Sequence, residues 1–186
     1  MPSSDPATIP AVLSLVSRLS PHSILDVGAG NGRYGFLFRE ILDLNYGRLA
    51  KGAWKTVIDG VEADYQYVTD VHRYAYTDIY ISDWLKYEPN KEYDIVFMGD
   101  VLEHFKEGDW QIALEKAKGI SKITLVVSPN WEGSIAQQDW HGHEYERHNV
   151  ALSPLKVGGR CLFANSKIFM CAFDKTGLLE DRDVLL

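Results

Sequence analysis

The residues Ile24 to Gly35 read Ile-Leu-Asp-Val-Gly-Ala-Gly-Asn-Gly-Arg-Tyr-Gly, a short apolar strand followed by a glycine turn and a helix start. This chemistry suits the holding of a nucleotide-like ligand. Without a Cβ, Gly28, Gly30 and Gly32 can take positive φ angles and let a ligand approach backbone atoms that a side chain would shield. The free amides of the helix that follows point into the same crevice. Further along stand three acids, Glu62, Asp83 and Asp100, which can accept hydrogen bonds from hydroxyls and amines. Two imidazoles, His104 and His148, are of the type that moves a proton near neutral pH.

Spacing separates two ligand classes. A dinucleotide fingerprint starting at Gly28 needs its third glycine at position 33, where this chain has Arg, and an acid about 20 residues on. The acid that ends the next strand-like run is Glu62, 34 positions after Gly28. Both features disfavour a nicotinamide dinucleotide.

The run Leu25-Asp26-Val27-Gly28-Ala29-Gly30-Asn31-Gly32 resembles motif I of the class I S-adenosylmethionine-dependent methyltransferases, an acid followed by GxGxG. Gly60-Val61-Glu62-Ala63-Asp64 is similar to that family's second-strand motif and Ile81-Ser82-Asp83-Trp84 to its third. Tyr93 to Phe105, with Leu102-Glu103-His104, resembles the fourth in the form common among small-molecule methyltransferases. Four motifs in order are far more specific than one glycine turn.

The resemblance implies S-adenosyl-L-methionine as cofactor and transfer of its methyl group by in-line displacement to a nucleophile, here expected to be a small molecule. It implies that Glu62, with Ala63 beside it, binds the ribose hydroxyls, a role a forked carboxylate suits. Asp83 would receive the adenine amino group while Trp84 offers the ring a flat face. Gly28 and Gly30 would cradle the ligand, and Asp100 would close the rim at the fourth strand. Asp26 would hold either the glycine loop or the cofactor's amino group, and Arg33 stands where its carboxylate could be reached. His104 and His148 are the two candidates for a general base. Because the fold does not guarantee chemistry, a catalytically silent S-adenosylmethionine-binding module is one alternative, and an NAD-dependent oxidoreductase is a weaker one.

The segment His141-Gly142-His143-Glu144-Tyr145-Glu146-Arg147-His148 invites a metal reading, but His148 lies five positions from His143, so it does not match HExxH. No metal is expected. The segment from Trp131 to Asn149 is read instead as a wall or lid over the substrate.

These residues need a scaffold that brings distant acids to one rim. Strand signals near 23–27, 56–62, 78–81, 93–98 and 122–127 alternate with helix signals near 32–44, 64–74 and 109–118, the mark of a doubly wound parallel sheet. An amphipathic helix over 8–19, ended by Pro21, leads in. Arg160–Asn165 and Lys167–Asp174 read as an antiparallel hairpin. The expected α/β fold is a mostly parallel seven-stranded sheet with that hairpin at its C-terminal side, the Rossmann-like methyltransferase arrangement. In such sheets ligands bind outside the carboxyl ends of the strands.

At 186 residues one domain is expected over 1–186, with 1–6 a loose terminus. The net charge of -7 argues against a nucleic-acid-binding face. With neither a membrane-length apolar run nor a signal-peptide pattern, a cytoplasmic protein without a membrane partner is expected, as monomer or homodimer. Cys161 and Cys171 are too few for a disulfide framework and are read as buried reduced thiols that could face one another on neighbouring strands.

Overall fold

The computed structural model describes residues 5–131 and 144–184. Seven strands form one sheet: β1 (Ser23–Val27), β2 (Val57–Glu62), β3 (Asp78–Ile81), β4 (Tyr93–Gly99), β5 (Ser121–Pro129), β6 (Arg160–Ala164) and β7 (Ile168–Asp174). Their order is β3-β2-β1-β4-β5-β7-β6. The first five are parallel, and β7 and β6 close the sheet in antiparallel fashion. The expected fold class is the observed one.

Alternation along each strand divides the apolar residues between two cores, because successive side chains leave opposite faces of the sheet. Ile24, Ile58, Ile95, Phe97 and Leu125 pack on one side with α1 (Ile9–Leu19) and α2 (Arg33–Leu42). Leu25, Val27, Val96, Met98 and Val126 pack on the other with α4 (Asp109–Gly119). Central strands buried on both faces must be apolar almost throughout, and β1, β4 and β5 are.

Local chemistry moves some expected boundaries. Pro21 does not end α1: Ser20 does, one residue earlier, in the left-handed conformation (φ 46°) with its N–H on the Val16 carbonyl. The helix expected over 64–74 splits into a 3-10 turn (Tyr65–Tyr67) and α3 (Asp70–Ala75). Asp64 caps the first and Thr69 restarts the second, each side chain accepting an amide two residues on. The 45–54 connection runs over the surface, and its end is tied down by Arg39, fully buried, which donates to the Ala75 and Thr56 carbonyls (2.9 and 2.7 Å), pairs with buried Asp43 and stacks 3.8 Å over Trp54.

Cys161 and Cys171 are register partners on β6 and β7 and both are free thiols. Among the described residues no helix is long and apolar enough to cross a membrane.

Candidate functional site

A cleft of about 330 Å³ opens at the carboxyl ends of the parallel strands. Asp26, Gly28, Gly30, Arg33, Glu62, Ala63, Asp83, Trp84, Asp100 and His104 all border it, although they come from four strand ends. The strand order explains this convergence, since β1 and β4 are neighbours and the chain reverses direction across the sheet between them.

The glycine turn is held from below. Gly28 and Ala29 donate to the Val61 carbonyl (2.8 and 3.1 Å), and Gly30 donates to Glu62 Oε2 (2.7 Å). Gly28 is obligatory here: its φ is +70°, and a Cβ would lie 2.4 Å from Val101 Cγ2. Gly32, at φ 80°, turns the chain into α2.

Glu62 is 6 % exposed and also accepts from the Asp64 amide through Oε1 (2.9 Å). Burial raises its pKa, opposed by those amides. A carboxylate has about four lone-pair positions, so the amides of Gly30, Asp64 and Ala63 leave capacity for a further donor from the cleft. Asp83 Oδ1 accepts from Leu85 N (2.9 Å) and so builds its own turn while Oδ2 stays available to the cleft.

Asp26 lies one residue inside the end of β1 and is buried beneath the turn. Tyr76 donates its hydroxyl to Asp26 Oδ2 (2.6 Å), and Gly35 N–H donates to the Tyr76 oxygen (3.2 Å). Loss of water pushes the Asp26 carboxyl up to about 7; the Tyr76 hydrogen bond pulls it down and the Glu62 charge pushes it up again. A carboxyl balanced between its two forms near neutrality is suited to a cation, which would favour the ionised one.

Trp84 requires a correction. It borders the cleft, yet it is only 4 % exposed, its indole N–H is bonded to the Ala113 carbonyl (3.0 Å) and the Lys116 ammonium lies 4.9 Å over its ring. It is a core aromatic that backs the wall, and it offers no open face for stacking. His148 also stands elsewhere than expected: it does not border the cleft but packs against His104 (ring centroids 4.7 Å) and Trp131 (4.9 Å). His104 itself is pushed down to about 4, by burial first and the neighbouring His148 second. It is therefore neutral and a weak base at pH 7. His141 and His143 lie outside the described residues, as does most of the supposed lid.

Tyr145, Glu146 and Asn149, from the segment read as a wall or lid, border the cleft, and so does Tyr67, which sequence reasoning missed. The Tyr67 hydroxyl donates to Glu146, tying the β2–α3 loop to the segment after β5. No spacing rule connects positions 67 and 146, so nothing local announces that contact. Glu103 was also passed over, although it is fully buried. Its Oε2 accepts from Ser128 Oγ (3.1 Å), Oε1 has no hydrogen-bond partner among the described residues, and burial together with Asp100 holds its pKa well above the carboxylate range.

No protein-family model matches the sequence, and no curated protein is significantly similar to it. Solved structures do share the fold. The DhpI–SAH complex superposes with a TM-score of 0.66 at 12 % identity, covering 89 % of this chain and 83 % of that one. The methyltransferase domain of bacterial CtHen1-C gives 0.60 at 14 % identity, covering 89 % and 95 %. Magnesium protoporphyrin IX methyltransferase (ChlM) from Synechocystis PCC 6803 with bound SAH gives 0.63 at 10 % identity, covering 89 % and 81 %. At these identities the likeness is one of fold.

Proposed function

We propose that the chain is an S-adenosyl-L-methionine-dependent methyltransferase acting on a small-molecule acceptor. The observation that carries this reading is the cleft itself, where a glycine turn with no room for a Cβ, a buried Glu62 and an Asp83 with an open oxygen face one volume. These groups fit the cofactor's parts. Glu62 would take the ribose hydroxyls, Asp83 Oδ2 the adenine amine, and the Gly28–Gly30 backbone with Asp26 the amino-acid end. Tyr67 and Glu146, bonded across the mouth, would limit water in the cleft.

When bound, S-adenosyl-L-methionine supplies an already activated methyl group, so the protein's task is chiefly to hold two partners at reacting distance. Such a cleft suits an acceptor of modest size. An oxidoreductase reading is unsupported: residue 33 is Arg, and it borders the cleft where the dinucleotide fingerprint calls for glycine.

Calorimetric titration with S-adenosylhomocysteine and, separately, NADH tests the proposal. Saturable one-to-one binding of the first alone is expected. Binding of NADH alone, or of neither, would refute it. A catalytically silent module would bind S-adenosylhomocysteine yet release none from S-adenosylmethionine with any acceptor in a small-molecule panel.

A further inference from the structure

We propose that Glu103, His104 and His148 form a binding site for a divalent first-row transition-metal ion in the wall of the cleft, with coordination positions left open for an oxygen of the acceptor. One donor atom from each residue lies within 4.8 Å of the other two. Donors sharing one ion at about 2.1 Å stand about 3–4 Å apart, so modest side-chain rotation closes the set.

The surroundings hold these three residues as ligands would have to be held. The Glu103 carbonyl accepts from Asn149 N (2.8 Å) and Val150 N (3.3 Å), and Asn149 Nδ2 donates to the His104 carbonyl (2.7 Å). Those bonds fasten the 147–150 segment onto 103–104 and fix His148 beside His104. The His104 Nδ1 lies 3.2 Å from the Arg147 carbonyl, which can only accept, so Nδ1 carries the proton and Nε2 keeps its lone pair. A ligating imidazole almost always has such a partner on its other nitrogen.

Glu103 is the second, independent observation. It is completely buried, one oxygen is steadied by Ser128, and the other is buried without any hydrogen-bond partner among the described residues. Buried carboxylates of that kind are costly unless paired with a charge. Two imidazoles and a carboxylate suit manganese, iron, cobalt or zinc better than calcium or magnesium. Three protein ligands also leave positions open, the arrangement of ions that bind a substrate oxygen and make a hydroxyl more acidic. His104 is the member that borders the cleft, and so the open side faces the acceptor. Only this last role rests on the methyltransferase reading.

The test uses metal alone. Chelator-treated protein is titrated with Co²⁺, following visible absorption, and with Mn²⁺ and Zn²⁺ by calorimetry; S-adenosylhomocysteine binding is measured separately. One Co²⁺ per chain with an imidazole-type spectrum is expected, weakened at least tenfold in both E103Q and H148A while S-adenosylhomocysteine affinity stays within about threefold. Acetohydroxamate, a bidentate oxygen donor, should shift the Co²⁺ bands. No saturable binding of any of the three ions below about 1 mM overturns the site, as does binding that survives both substitutions. Unshifted bands with acetohydroxamate overturn the open positions. A chain that binds metal but not S-adenosylhomocysteine would sink the proposed function and leave the site standing.

Discussion

Replacing Asp26 by Asn should change how stability depends on pH, and the size of the change follows from where that carboxyl sits. In the fold it titrates at about 7 against an ordinary 3.8, because burial removes its water and Glu62 lies close. Between those values the folded chain keeps a proton that the unfolded chain has lost. Stability therefore falls as pH rises through the window; below it both states are protonated, and above it the loss is complete. At about 1.4 kcal/mol per pH unit, the interval from pH 4.5 to 7 amounts to about 3 kcal/mol. The Asn variant has no such titration. Its amide oxygen can still accept from Tyr76, while an NH2 group in place of the second carboxylate oxygen costs about 1–3 kcal/mol at every pH. The difference in unfolding free energy, variant minus parent, should thus climb by about 3 kcal/mol from pH 4.5 to 7 and then level off. Urea unfolding at fixed pH steps, followed by tryptophan fluorescence, reads it directly. Two curves that run parallel over this range would refute the argument that Asp26 is protonated in the fold.

Glu62→Gln keeps shape and loses charge, so S-adenosylhomocysteine affinity should fall about tenfold or more in calorimetry, the worth of charge-assisted bonds to hydroxyls. Gly28→Ala places a Cβ 2.4 Å from Val101 Cγ2 in a left-handed backbone. It should abolish measurable S-adenosylhomocysteine binding and lower the unfolding free energy from urea titration by more than the ~1 kcal/mol that an unstrained exchange would add. Arg39→Met leaves Asp43 with Arg48 as its guanidinium partner and takes the donor from the buried Ala75 and Thr56 carbonyls, and at about 1–3 kcal/mol per unmade buried bond a loss of about 2–6 kcal/mol is expected in the same unfolding assay.

The architecture was legible because its signals are local. Each central strand is a short apolar run, each parallel pair demands a crossover, and the glycine turn sits in one unbroken stretch, so the rim at which Asp26, Glu62, Asp83 and Asp100 meet could be read from order alone. What escaped depends on contacts between residues far apart in the chain. Arg39 occupies a position that helical periodicity would assign to either solvent or core, and only Asp43, Thr56 and Ala75 together decide for the core. Trp84 follows the third-strand motif, yet the Ala113 carbonyl across the second core claims its N–H. Likewise His148 reaches His104 only because Asn149 docks on the Glu103 carbonyl, 46 positions earlier in the chain. Side-chain burial of that kind is a property of the packed chain, and no spacing rule encodes it.

The order β5-β7-β6 has a consequence for biosynthesis. β6 is made before β7 but stands outside it, so β6 has nothing to pair with in the sheet until β7 fills the place beside β5. A growing polypeptide must therefore hold the margin of β5 bare for some 40 residues of translation, an adhesive edge while it lasts. The turn answers this: Asn165 Oδ1 accepts from the amides of Lys167 and Ile168 (2.8 and 3.0 Å), folding the two strands on each other by a contact that needs no other part of the protein. The pair can then dock as a finished unit, so the margin of β5 is covered late, after the five parallel strands have been made.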